Sequence, residues 1–325
     1  SAFKPFVYAL ALENKYTPSS LVLDAPLVLD QGIDLKKWKP ENYGKKFYGP
    51  STLRVGLEKS RNLMTVRIAQ NLGIDELANF SKKLNIYQDP DELLSISLGS
   101  AETTLLNLTS AYSSFVNGGK LINPIIIDRI QDSEGNTIIN NENRKCGNCE
   151  KISFTGKDYP TIEDNYEQIM SEQTAYQITS ILEGVIKRGT GKKLKDLKLN
   201  LAGKTGTTNE NTDAWFIGFT SNLVVGVYVG MDNPKPLGKF ETGSKAALPI
   251  FKEFVEKAVK KSDARPFKVP KEMTLMVVDP LTGEKAKFNS KNTIIEAYKS
   301  KNVLDGKVLY SDNNRLDKNN ILEFY

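Results

Sequence analysis

Apolar residues recur at helical spacing from the first turn of the chain onward. Phe3, Phe6, Val7 and Leu10 share one face of a helix predicted over residues 1–12. The same spacing predicts further helices over residues 51–59, 63–71, 75–84, 103–116, 171–188 and 247–260. Ser171 is a good N-cap for the longest of them, and Gly189 marks its end.

Three apolar stretches in succession predict neighbouring strands near the middle of the chain. They cover residues 200–205, 213–220 and 223–231, with a short turn at Ser221 and Asn222. Residues 121–131 and 137–140 predict a hairpin, and residues 275–278 are β-like. Proline and glycine interrupt residues 18–50, which are therefore predicted to be rich in loops.

The composition is that of a globular protein. Of 325 residues, 39% are hydrophobic, which is enough for a substantial core, and the length predicts about two domains or one with an appendage. No uninterrupted apolar stretch is long enough to span a bilayer, and residues 1–20 lack the pattern of a signal peptide. We therefore expect neither an anchor nor a signal peptide within this sequence.

The formal net charge of +5 is modest, and part of it is local. Lysine and arginine are concentrated in residues 187–198, where no aromatic side chain lies between them. This disfavours a nucleic-acid groove, in which bases stack on aromatic rings. The pattern predicts a helix end followed by a solvated loop.

Cys146 and Cys149 lie close together in the polar segment 132–164. Because the sequence has no histidine and no second cysteine pair, a complete zinc site of the usual ligands is not expected. Two alternatives remain for these cysteines, a local disulfide or two inert free thiols. We predict no metal and no cofactor.

Candidate chemistry begins with Ser1 and Lys4, which lie one helical turn apart. A serine hydroxyl needs a base to become nucleophilic, and the usual histidine is absent. If Ser1 is a nucleophile, Lys4 must therefore be its base. Taken alone, the pair is a weak signal and favours a plain N-terminal helix with a solvated Lys4.

Residues 201–208 carry a second candidate, a strand edge with Lys204 among glycines and threonines. Such an edge suits an extended anionic substrate, because the glycines allow close approach and Lys204 supplies positive charge. A phosphate-binding P-loop is the rival interpretation. It fails because Lys198 stands where the first glycine is required, and because a strand follows.

Three motifs in order are far more specific than either candidate. SAFK at Ser1, SRN at Ser60 and KTG at Lys204 form the motif set of serine β-lactamases and penicillin-binding proteins. Up to about residue 260 the chain resembles the transpeptidase domain of class A high-molecular-weight penicillin-binding proteins. The resemblance is carried by SAFKPFVY, WKPENYGKKFYGPSTLRVGLEKSRN, LGSAETTLLNLTSAYSSFVNGG and AGKTGTTNENTDAWFIGFT.

The resemblance implies an α/β (α+β) fold, with an antiparallel sheet flanked by helices, an all-helical lobe and a C-terminal extension. It places the transpeptidase domain at residues 1–262, with the polar insertion at 132–164, and an extension or small β-rich tail at 266–325. In this family further strands, a glycosyltransferase domain and a membrane anchor precede the serine. We therefore expect the chain to be the C-terminal part of a longer protein.

The catalytic roles that the resemblance implies fall on five residues. Ser1 attacks the carbonyl of the penultimate D-alanine of a stem peptide, and Lys4, with a lowered pKa, accepts its proton. Ser60 relays a proton to the leaving amine, while Asn62 holds the substrate backbone and helps to position Lys4. Lys204 contributes positive charge to the site.

The substrate-binding roles fall on the strand after Lys204. With Lys204, Thr205 and Thr207 bind the terminal carboxylate, and Gly206 and Thr208 are the other substrate-binding residues. The backbone N–H groups of Ser1 and Thr207 form the oxyanion hole. In isolation, Ser60 and Asn62 favour helix caps, and the threonines are ordinary strand residues.

The implied function is a peptidoglycan D,D-transpeptidase that penicillins inhibit. Its partners are stem peptides and β-lactams, with other cell-wall synthesis proteins possible and no nucleic acid, at the periplasmic face of the inner membrane in a bacterial envelope. The alternatives are a β-lactamase or D,D-carboxypeptidase on the same fold, and a non-catalytic penicillin sensor. SRN in place of SDN, and Glu102 displaced by one residue from a β-lactamase pattern, disfavour a fast hydrolase. A hydrolase that uses the N-terminal amine of Ser1 is disfavoured by Lys4.

Overall fold

The computed structural model describes residues 1–30, 37–141, 146–147, 149, 161–163, 165–260, 262–300, 309–311 and 314–316, the last two as backbone. The α-helices of these residues are α1 (Lys4–Glu13), α2 (Leu53–Glu58), α3 (Asn62–Leu72), α4 (Ile74–Lys83), α5 (Leu105–Val116), α6 (Glu172–Lys187) and α7 (Ala247–Ala258). The strands are β1 (Leu21–Asp24), β2 (Gly49–Thr52), β3 (Arg129–Gln131), β4 (Thr137–Asn140), β5 (Cys146–Gly147), β6 (Thr161–Ile162), β7 (Ala202–Thr207), β8 (Ala214–Phe219), β9 (Val224–Val229), β10 (Met273–Val278), β11 (Ile294–Lys299), β12 (Leu309–Ser311) and β13 (Asn314–Leu316).

The helices predicted from apolar spacing are present, with ends that differ by a few residues. The first begins at Lys4, so that Ser1 lies just before it. Pro5 occupies its first turn, where the missing N–H of proline leaves no helical bond unmade. Ser171 caps α6 as predicted, since its side chain accepts from the Thr174 N–H.

Two strands lie in the region predicted to be loops. β1 pairs antiparallel with β2 and parallel with β12. β2 contains Pro50 and is the edge strand of this sheet, where a residue without an N–H is tolerated. In the predicted hairpin, only Arg129–Gln131 of residues 121–131 forms a strand.

A three-stranded antiparallel sheet, in the order β7-β8-β9, forms the centre of the second half of the chain. Lys204 pairs with Ile217, and Gly206 pairs with Trp215. Helices α5, α6 and α7 all pack against this sheet. The aromatic rings of Phe216 on β8 and Phe251 on α7 lie 4.7 Å apart in the core between them.

Helix α1 is buried along nearly its whole length. It packs against α2, α3, α4 and α6, and every residue from Lys4 to Leu12 is buried. The buried Tyr112 hydroxyl on α5 donates to the carbonyl of Ala2 and fixes the turn that precedes α1. The start of α1 is therefore held within the core.

The hairpin β10–β11 contacts the preceding helices through buried polar groups. Gln177 on α6 donates from Nε2 to the Ala297 carbonyl at 2.8 Å. The Tyr298 and Ser19 hydroxyl oxygens are 2.5 Å apart, and Glu296 accepts from the Arg54 guanidinium. The division of the chain at residues 262–266 stays a prediction.

Cys146 and Cys149 are joined by a disulfide, so the local bridge is the alternative that occurs. Of the helices described, none has the length and hydrophobicity needed to cross a membrane. Across the same residues, acidic and cysteine side chains form no cluster suited to a metal ion.

Candidate active site

Lys4 is the centre of a buried hydrogen-bonded cluster. Its Nζ donates to Asn62 Oδ1 at 2.5 Å, to the Ser60 carbonyl at 2.8 Å and to Ser60 Oγ at 3.2 Å. Lys204 Nζ donates to the same Ser60 Oγ at 2.8 Å and to the Thr205 carbonyl at 2.9 Å. Side chains from α1 and β7 therefore meet at the Ser60 hydroxyl, which lies in the turn before α3, and Asn62 on α3 joins the cluster through Lys4.

The Ser60 hydroxyl is presented by a turn with an unusual backbone. Ser60 has a φ of 57°, in the left-handed region that costs a non-glycine residue energy. The Ser60 N–H donates to Leu57, and the Arg61 N–H donates to Gly56 at 2.9 Å. Lys59 Nζ donates to the Arg188 carbonyl at 2.7 Å, so that the turn is also tied to the end of α6.

Burial makes both lysines of the cluster unusually weak bases. It lowers the pKa of Lys4 well below its usual value, and the nearby cation Lys204 lowers it further, against a smaller opposing effect of Asp24. Burial also lowers the pKa of Lys204 to about 7. A neutral Lys4 has a lone pair that can accept a proton, as a serine nucleophile requires.

Ser1 lies just before the first turn of α1, the helix that carries Lys4. Its carbonyl accepts from the Lys4 N–H at 3.3 Å, and its nitrogen donates to the Leu98 carbonyl at 2.9 Å. Ser1 is only partly buried, whereas Lys4 and Lys204 are fully buried. The serine is thus accessible from solvent, and its predicted roles as nucleophile and oxyanion donor stay predictions.

The strand β7 passes close to Ala2, the residue after Ser1, at Gly206. A Cβ on Gly206 would lie 3.2 Å from both the nitrogen and the Cβ of Ala2, and 2.9 Å from the Cβ of Trp215. A larger residue would therefore push β7 away from the start of α1. The glycine is needed for this close approach.

The hydroxyl groups of three threonines on or next to β7 have different partners. The Thr205 hydroxyl oxygen is 2.8 Å from that of Thr190, which follows α6. Thr207 Oγ1 accepts from the Gly243 N–H at 3.0 Å. Thr208 lies outside the lysine cluster, since its hydroxyl accepts from the Asp213 N–H and bonds to Thr212.

The structure does not use Ser60 or Asn62 as the cap of α3. Arg61 is the N-cap residue, and its side chain makes no capping bond. Instead, Asn42 Oδ1 accepts from the Asn62 N–H at 2.8 Å. Sequence reasoning missed Asn42, Thr190 and Gly243, because their partners are distant in sequence and no local pattern marks them.

Comparisons with known proteins identify the family. A family model described as penicillin binding protein transpeptidase domain matches residues 1–256. Penicillin-binding protein 1A of Rickettsia bellii is 41% identical over 322 residues, which cover 98% of this chain and 40% of that protein. Penicillin-binding protein 1A of Pseudomonas aeruginosa is 35% identical, over an alignment that covers 93% of this chain and 41% of that protein.

Solved structures agree with this assignment. The crystal structure of penicillin-binding protein 1A from Haemophilus influenzae matches with a TM-score of 0.77 and 30% identity, over 94% of this chain and 48% of that one. PonA1 from Mycobacterium tuberculosis in complex with penicillin V, at 21% identity and a TM-score of 0.67, shares the fold. The chain spans about 40% of the length of the curated relatives named above. Its mixed helical and antiparallel-strand structure is that of an enzymatic, penicillin-binding transpeptidase domain, and the chain belongs to the penicillin-binding protein transpeptidase family.

Proposed function

We propose that this chain catalyses acyl transfer through Ser1 and so forms crosslinks between peptidoglycan stem peptides. The observation that carries the proposal is the cluster in which the Ser60 hydroxyl contacts both Lys4 and Lys204. These groups adjoin a partly exposed serine, in a protein without histidine. The weakly basic lysines supply the proton acceptor that a serine nucleophile otherwise obtains from imidazole.

The acylation step follows from these contacts. Ser1 Oγ attacks the carbonyl carbon of the penultimate D-alanine, and its proton passes to neutral Lys4. The C–N bond then breaks, and the leaving amine of the terminal D-alanine takes a proton through Ser60. An ester on Ser1 remains, and the oxyanion formed on the way is stabilised by N–H donors of Ser1 and Thr207.

Deacylation reverses this proton transfer with a second stem peptide. Its neutral amine attacks the ester carbon and gives up a proton through Ser60 to Lys4. The C–O bond to Ser1 then breaks, and Lys4 returns the proton to Ser1 Oγ. The new amide is the crosslink. Asn62 accepts from Lys4, and in this proposal it also holds the substrate backbone.

The substrate carboxylate is bound in this scheme by β7 and its lysine. Lys204 provides charge, Thr205 and Thr207 provide hydroxyl groups, Gly206 lies between them on the strand, and Thr208 directly follows it. Thr205 is held by Thr190, and Thr207 by the Gly243 N–H, so both hydroxyl groups already have fixed positions. A β-lactam with its own carboxylate would enter the same place.

The wider setting of this activity is also part of the proposal. Because the named relatives are longer proteins, we expect the chain to act within a protein that also carries a glycosyltransferase domain and a membrane anchor. Its place would be the bacterial cell envelope, at the periplasmic face of the inner membrane. The reaction as written needs no cofactor and no nucleic acid.

The test is intact-mass measurement of the full-length protein after exposure to penicillin. We expect one covalent adduct on the peptide that contains Ser1, and none in the Ser1→Ala variant. An adduct that persists in the variant would overturn the assignment of the nucleophile. The acylated protein should then transfer a stem-peptide donor to an added amine acceptor. An adduct lost to water within seconds would indicate a hydrolase, and one that never transfers would indicate a sensor.

A further inference from the structure

Behind the lysine cluster lies a second set of buried polar groups, centred on Asn42. Its side chain is 5% exposed and makes four hydrogen bonds. Nδ2 donates to Asp24 Oδ1 at 2.7 Å and to the Lys46 carbonyl at 2.9 Å. Oδ1 accepts from the N–H groups of Asn62 at 2.8 Å and Leu63 at 3.4 Å. The amide is therefore saturated, and only one orientation of its N and O atoms satisfies all four partners.

Asn42 serves as the N-terminal cap of α3 from outside the helix. The first N–H groups of a helix need acceptors, and a side chain at the N-cap position normally supplies one. Here the N-cap residue Arg61 supplies none. The acceptor comes instead from a loop about 20 residues earlier in the chain, and that loop thereby fixes where α3 begins.

The neighbouring residue of the same loop fixes the Asn62 side chain. Asn62 Nδ2 donates to the Glu41 carbonyl at 2.7 Å, which leaves Oδ1 directed at Lys4. One dipeptide, Glu41-Asn42, thus holds both the backbone and the amide group of Asn62. Any displacement of this loop would move the acceptor of Lys4.

Asp24 sets the orientation of Asn42. Its carboxylate is fully buried. Oδ1 accepts a hydrogen bond from the Asn42 amide nitrogen, and Oδ2 lies 3.7 Å from Arg61 Nε. Arg67 anchors the chain beyond it by donating to the Ala25 carbonyl at 2.8 Å. A buried carboxylate accepts hydrogen bonds only, so it forces the amide nitrogen of Asn42 to face it.

We propose that Asp24 and Asn42 form a positioning pair that holds Asn62 in the orientation in which its Oδ1 accepts from Lys4. The pair touches neither Ser1 nor the substrate and acts through Asn62. This inference rests on the proposed function, since its effect is measured at the acylation of Ser1.

The test uses single and paired substitutions that exchange the amide and the carboxylate. In Asn42→Asp, two carboxylates face each other, and acylation by a fluorescent penicillin should slow by about tenfold or more because Asn62 is displaced. Adding Asp24→Asn restores an amide donor opposite a carboxylate acceptor, which suits a helix N-terminus. The double variant should therefore recover part of the lost rate in the full-length protein, while the Lys46 carbonyl still lacks its donor.

The pH profile gives a second readout that a merely structural role would not move. The charged groups that face Lys4 within the described residues are Lys204 on β7, Asp24 on β1 and the amino group of Ser1. Arg61, Arg67 and Lys4 face Asp24. Since the Asp24 charge raises the pKa of Lys4, Asp24→Asn should move the acidic limb of the acylation profile to lower pH.

Ser171→Ala is the matched control, because it removes the cap of α6 at the end remote from the cluster. It should lower the melting temperature while keeping the acylation rate and pH profile of the wild type. The proposed positioning pair is overturned if the single variant Asn42→Asp and the double variant Asp24→Asn/Asn42→Asp are acylated equally fast. It is also overturned if Asp24→Asn leaves the acidic limb of the acylation profile at the pH of the wild type. If penicillin instead labels the Ser1→Ala protein, the proposed function fails first, and the two failures are distinguishable.

Discussion

Lys204 Nζ lies 2.8 Å from Ser60 Oγ, so that the hydroxyl bridges two lysines on different elements. An ammonium group can only donate, and with both lysines charged the hydroxyl must accept from each. Once Lys4 is neutral, the Ser60 O–H can donate to its lone pair while Lys204 continues to donate to Ser60. A single proton removed from Lys4 therefore orients the whole bridge for proton transfer.

The first prediction concerns stability against pH. Because burial lowers the pKa of Lys204 from 10.5 to about 7, the unfolded chain binds a proton between these values that the folded chain lacks. The free energy of unfolding should therefore rise as pH increases above about 7, by at most about 1.4 kcal/mol per unit from this group. Lys204→Met should remove that part of the slope. Denaturant titrations of the wild type and Lys204→Met at about pH 6.5 and about pH 9 measure this difference. The prediction is contradicted if the unfolding free energies of both proteins change by the same amount between the two pH values.

The second prediction concerns the contact of β7 with the start of α1. Gly206→Ala places a Cβ 3.2 Å from Ala2 and 2.9 Å from the Trp215 Cβ, which forces the strand outward. We expect a loss of about 1–3 kcal/mol in unfolding free energy, together with slower acylation by penicillin. Gly44→Ala is the control, since its Cβ would meet nothing within 4 Å. If both variants have the same unfolding free energy and the same acylation rate, the close approach of β7 to Ala2 is unimportant.

The third prediction concerns Thr190, whose hydroxyl lies against that of Thr205. Thr190→Val removes this partner, and the rate constant of acylation by a carboxylate-bearing penicillin should fall about three- to tenfold, the worth of one hydrogen bond. Thr190→Ser keeps the hydroxyl and should keep the rate. Stopped-flow acylation over a range of penicillin concentrations separates binding from chemistry. A serine variant as slow as the valine variant would contradict the role of the hydroxyl.

The sequence indicated which residues form the lysine cluster better than it indicated the contacts that hold those residues in position. Apolar spacing and three short motifs are local signals, and they indicated α1, α3, β7 and the side chains that meet there. The support for Asn62 is not local. Ser60 and Asn62 have the residue types of a helix cap, yet the cap of α3 comes from Asn42, whose role depends on the folded loop.

The strands that were missed have a similar cause. β2 contains Pro50, which argues against a strand unless its place at a sheet edge is known. β11 contains Glu296 at a fully buried position, where alternation predicts an apolar residue. Only the structure reveals that Arg54, about 240 residues earlier, lies opposite it.

The last prediction concerns this buried ion pair between α2 and β11. Arg54 Nη2 donates to Glu296 Oε1 at 2.6 Å, and its Nη1 lies 3.2 Å from Glu58 Oε1. Glu296→Ala leaves the buried guanidinium with one carboxylate, which Arg188 shares, and should cost about 3–5 kcal/mol of unfolding free energy. Replacing Glu253 by alanine in the exposed pair with Lys257 on α7 is the control and should leave the unfolding midpoint nearly unchanged. Chemical unfolding of both variants tests this prediction. If Glu296→Ala unfolds at the same denaturant midpoint as the control, the ion pair from β11 does not stabilise α2, the helix that precedes Ser60.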